Sequence, residues 1–125
     1  MNLIARTFVT LGVVCAVIGM AWGIHMSASG DHMLSPAHAH LNLLGYVSLF
    51  LFGVYYHLVP SAAEGILAKV HLAVAVAGVV IIVPGIVQAI QQTGETLAKI
   101  GSVLTILSMV VFLIVVLTTA GRRTA

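Results

Sequence analysis

Residues 35–60, SPAHAHLNLLGYVSLFLFGVYYHLVP, decide the fold. From Pro36 to Val59 the chain carries no Asp, Glu, Lys or Arg. At about 1.5 Å rise per residue, such a run spans the roughly 30 Å hydrocarbon core of a bilayer as one helix. Ser35 is a good N-cap, and Pro36 suits the first helical position, where its missing N–H does no harm. Pro60 ends the helix. Three imidazoles, His38, His40 and His57, lie in this apolar run. In hydrocarbon each needs a hydrogen-bond partner or a metal.

The same pattern continues outward in both directions. The 125 residues are 61% hydrophobic and only 6% charged, against roughly 25% charged in a soluble domain. Such a chain cannot cover a water-facing surface. Spans are expected at about 4–24, 36–59, 66–90 and 96–119, joined by short connections. The fold class is therefore all-α, an integral membrane antiparallel four-helix bundle forming a single domain over residues 1–125. The first span is expected to be a retained helix: its run is long for a signal sequence, and "SAS" at 27–29 is a weak cleavage-like site. Pro84 is expected to kink the third span. Gly19 with Gly23, and Gly45 with Gly53, supply small residues at helical spacing for close packing.

Five basic residues face three acidic ones, too few and too scattered for a nucleic-acid surface. They orient the bundle instead. Arg6, Lys69, Arg122 and Arg123 fall on one side and Lys99 on the other. The expectation is that both termini are cytoplasmic, in a bacterial-type inner membrane. Cys15, the lone cysteine, sits in an apolar run and reads as a small buried hydrophobe.

Six histidines fall into two groups. His25, His32, His38 and His40 lie at the outer boundary, while His57 and His71 flank the turn between spans two and three. His40 and His57 are 17 residues apart, roughly 25 Å along a helix axis, so they cannot serve one site. His38 and His40 point about 200° apart on a helical wheel. His-Met occurs twice, at 25–26 and 32–33, with Asp31 nearby. Imidazole with the thioethers of Met26 and Met33 suits copper, and imidazole with carboxylate suits zinc. For His57 and His71 the choices are a shared iron or a hydrogen bond to a carbonyl or to Tyr56.

The segment from His40 to Pro60 resembles the second transmembrane helix of the catalytic subunit of haem-copper oxidases, above all the nitric oxide reductase branch. The likeness rests on His40, Asn42, Leu43 and Leu44 in the first turn, Phe52–Gly53 in the middle, and Tyr55, Tyr56 and Val59–Pro60 at the end. The spacing is about one residue shorter here. The resemblance implies that His40 is an axial ligand of a low-spin haem b near the outer face. The family's other haem and copper ligands lie on later helices that have no counterpart in this sequence.

Three functions follow as expectations. The first is a haem b-binding one-electron carrier or haem-based sensor, with a respiratory-chain redox partner. Its second ligand would be His25, or would come from another copy in a homo-oligomer; His38, His57 and His71 are further haem-binding candidates, the last two at a separate inner site. The second is a copper- or zinc-binding delivery protein built on His25, His32, His38, His40, Met26 and Met33. The third is a structural or assembly subunit of a respiratory complex. Enzymatic turnover by the chain alone is not expected, since Asp31, Glu64 and Glu95 pair with no nucleophile.

Overall fold

The computed structural model describes residues 1–122, so Arg123 of the charge reading lies outside the described residues. Four helices, α1 (Leu3–Ser29), α2 (Ser35–Leu58), α3 (Ile66–Ile90) and α4 (Thr96–Thr119), are each long and apolar enough to cross a membrane. They run antiparallel in sequence order, and the molecule is a multi-pass helical bundle. The end where α1 starts and α4 finishes is called proximal here; the end with the 30–34 and 91–95 loops is distal.

Asn2 sets the proximal end of α1. Its Oδ1 accepts the Ala5 N–H at 2.8 Å, a standard N-cap. Its Nδ2 donates to the Tyr56 carbonyl, also at 2.8 Å. In an uninterrupted helix that carbonyl would be met by the N–H of residue 60, but residue 60 is proline and has none. One side chain therefore caps one helix and repairs the end of another. At its distal end α1 closes on Gly30, whose φ of 71° is left-handed and whose N–H reaches the Met26 carbonyl.

The regular helix expected over 36–59 holds only at its ends. Leu41–Ser48 is wound as a π-helix, and Ser48 Oγ donates to the Leu43 carbonyl five residues back. The buried positions explain the winding. Ala37, Leu41, Gly45, Leu49 and Gly53 all face inward at a strict four-residue spacing. An α-helix would let that stripe drift by about 40° per step. The wider π turns offset the drift, and Gly45 and Gly53 of the stripe lie against Cys15, Val9 and Ala5 of α1. Asn42 rides on the same segment and fits only because Gly19 of α1 has no Cβ; one there would collide with the Asn42 side-chain amide.

A 3₁₀ turn over Pro60–Ala63 and Gly65, at φ 86°, lead into α3. The helix continues through the exposed Pro84 to Ile90. Pairing of α3 with α4 needs Gly101, where a Cβ would lie 2.6 Å from the Ile82 Cα. The core is concentrated in the proximal half. Phe8, Phe52, Tyr56 and His71 are buried there beside Ala5, Ala68 and Val115, with Phe112 packed against them.

Candidate functional site

The distal histidines separate by what holds each ring. His40 sits half-buried at the start of the π segment, and its Nδ1 lies 2.7 Å from the Pro36 carbonyl one turn back. A carbonyl only accepts, so the proton is on Nδ1 and the Nε2 lone pair is left to accept elsewhere. This is the arrangement by which a metal-ligating imidazole is oriented through its other nitrogen.

His38 is used differently. Its Nε2 lies 2.9 Å from the Gly19 carbonyl and 3.1 Å from Asn42 Nδ2. One nitrogen cannot donate to the first and accept from the second. The shorter contact is to a carbonyl, so Nε2–H donates to Gly19, and the compatible half-turn of the Asn42 amide presents its oxygen. Trp22 packs edge-on against the same ring, with centroids 5.9 Å apart. His38 thus braces α2 on α1, with its Nε2 committed. As the wheel requires, His38 and His40 face different surroundings.

The remaining distal candidates take separate settings. His25 is exposed on the last turns of α1, and His32 is exposed with Nδ1 3.3 Å from the Gly30 carbonyl. Met26 turns into the bundle while Met33 is exposed. Among the described residues no three His, Cys, Asp or Glu side chains come together as a metal-binding group.

His71 occupies the opposite setting. It is 0% exposed, and its Nδ1 lies 2.8 Å from Tyr56 Oη. Phe52, Phe8 and Phe112 surround the ring at centroid distances of 4.5, 5.1 and 5.4 Å. Nε2 has no polar partner. If His71 donated to Tyr56, the phenolic proton and Nε2 would both go unmet. If Tyr56 donates, only Nε2–H is unmet, and aromatic faces lie beside it as weak acceptors. Tyr56 is therefore the donor. His57 is the next residue on α2, turned about 100° away, and it is exposed. The helix presents Tyr56 to His71, so of the partners considered for His71 the hydrogen bond to Tyr56 is formed. The aromatic packing leaves no space for a porphyrin beside that imidazole.

Asn2 and the aromatic enclosure escaped the sequence reading, and Asn42 entered it only through the resemblance. Asn2 had one signal in the sequence, the carbonyl of Tyr56 stranded by Pro60. Comparisons of the chain with protein-family models, curated proteins and solved structures return no match.

Proposed function

We propose that this protein binds haem b through His40 and carries single electrons in a membrane. The observation that carries the reading is the His40 Nδ1–H to Pro36 carbonyl bond, which fixes the ring and leaves Nε2 as a lone-pair donor. The donor chemistry fits an axial ligand of haem iron. The resemblance of the His40–Pro60 segment to an oxidase haem-binding helix supports the same residue. His71 does not fit, being enclosed and bonded to Tyr56.

His40 would hold the iron. The second axial position falls to His25 or to another copy of the chain, so the working form is a homo-oligomer if His25 does not serve. Haem supplies one reversible electron; the protein supplies the imidazole, its orientation and a low-dielectric surround. Arg6, Lys69 and Arg122 are at the proximal end and Lys99 at the distal end. This bias supports cytoplasmic termini and a haem toward the outer face of a bacterial-type inner membrane, beside a respiratory partner.

The test is the visible spectrum and metal content of protein purified after expression with ample haem. A Soret band with stoichiometric iron is the expected result. No band, and none on adding haemin, overturns the proposal. Copper or zinc without iron would instead indicate a metal-delivery role.

A further inference from the structure

At the proximal end, the turn between α2 and α3 and the end of α4 enclose a cleft of about 160 Å³. It is lined by Ser61, Glu64, Leu67, Val115, Thr118 and Arg122. We infer that this cleft binds the phosphoethanolamine headgroup of a membrane lipid. The inference is independent of the haem reading.

Charge is the first argument. Among the described residues the cleft presents one cation, Arg122, and one anion, Glu64, both exposed. Among the described residues the only ion pair is Lys99–Glu95, so Glu64 and Arg122 do not bridge each other. A ligand carrying both charges complements them. Guanidinium suits the phosphate and carboxylate suits the ammonium. A purely anionic headgroup would meet Glu64 as a repulsive neighbour, and a trimethylated ammonium has no N–H to donate to it.

The hydroxyls divide in the same sense. Thr118 Oγ1 donates to the backbone carbonyls of Ile114 and Val115, so only its lone pairs remain, and these suit an ammonium. Ser61 Oγ is buried and has no hydrogen-bond partner, so it has a proton to offer a phosphate oxygen. Size and position agree. The cleft has several times the roughly 30 Å³ share of one water, and Leu67, exposed at its rim, provides an apolar exit for acyl chains beside the spans.

The experiment titrates the full chain in detergent with phosphatidylethanolamine, phosphatidylcholine and phosphatidylglycerol of identical acyl chains, reading bound lipid by native mass spectrometry. Phosphatidylethanolamine should bind about tenfold more tightly than either other lipid, the effect of one charge-assisted bond. Glu64→Gln should remove its advantage over phosphatidylcholine, and Arg122→Gln should weaken all three. Both residues are exposed, so the variants should keep wild-type helicity by circular dichroism. Equal binding of the three lipids, or an unchanged preference in Glu64→Gln, overturns the inference. Soluble glycerophosphoethanolamine should compete poorly; competition equal to that of the diacyl lipid would overturn its assignment to a membrane lipid.

Discussion

His40 and His71 are the same side chain held in opposite settings. His40 lies at the distal end of α2, half-buried, with Nδ1 tied to its own helix and Nε2 open. His71 lies in the proximal core, fully buried, with Nδ1 taken by Tyr56 and Nε2 facing aromatic rings. An imidazole becomes a ligand or a packing element according to which nitrogen is bonded and what surrounds the other. Counting histidines in apolar helices does not distinguish the two; the partner atoms do.

The largest expected effect tests that contrast directly. His40→Ala should reduce the Soret absorbance of haem-loaded protein to background at equal protein concentration. His71→Phe, which fills the same enclosure, should keep it. If His71→Phe lost the band and His40→Ala kept it, the two roles would be exchanged.

The second effect is on stability. Tyr56→Phe removes the one hydrogen bond of a buried imidazole and leaves both ring nitrogens unmet, a cost of about 1–3 kcal/mol. Tyr56→Phe combined with His71→Phe removes donor and acceptor together and should recover most of that loss. Thermal unfolding in detergent followed by circular dichroism measures the cycle. An additive double mutant would show that the bond contributes nothing beyond the packing of its rings.

The distal brace comes next. His38→Leu cuts the tie to the Gly19 carbonyl and takes a partner from Asn42, about 1–2 kcal/mol by the same assay. Because His38 Nε2 is committed to α1, the Soret band should persist. Loss of the band together with wild-type stability would make His38, not His40, the ligand.

Why part of this was legible follows from the physics of each feature. Four uncharged runs dictate four spans, since hydrocarbon tolerates nothing else of that length, and short connections dictate antiparallel order. The π segment was legible in principle. The run Ala37, Leu41, Gly45, Leu49, Gly53 repeats at four residues, too wide for an α-helical stripe to stay on one face. The enclosure of His71 was not legible. It depends on whether α2 turns Tyr56 or His57 toward α3, and on Phe8 and Phe112 arriving from helices distant in sequence. The two His-Met pairs were equally unreadable from spacing alone: at 25–26 the side chains part, Met26 inward and His25 outward, while at 32–33 both are exposed.

The smallest expected effect concerns the proximal seam. Asn2→Asp keeps an oxygen to cap α1, with a charge that suits a helix N-terminus, but removes the Nδ2 donor to the Tyr56 carbonyl. The loss should be about 1 kcal/mol or less, the net contribution of one partly buried hydrogen bond. Pro60→Ala alone supplies a backbone N–H that meets the Tyr56 carbonyl once Val59, at φ −123° and ψ 74°, adopts helical angles. In the wild-type background that N–H competes with Asn2 for an acceptor already served, so it should gain little. In the Asn2→Asp background the carbonyl is unmet, so the same change should return most of the lost stability. That difference between backgrounds, read from four melting curves, separates a donor role for Asn2 from simple capping: a pure cap predicts the same increment for Pro60→Ala in both.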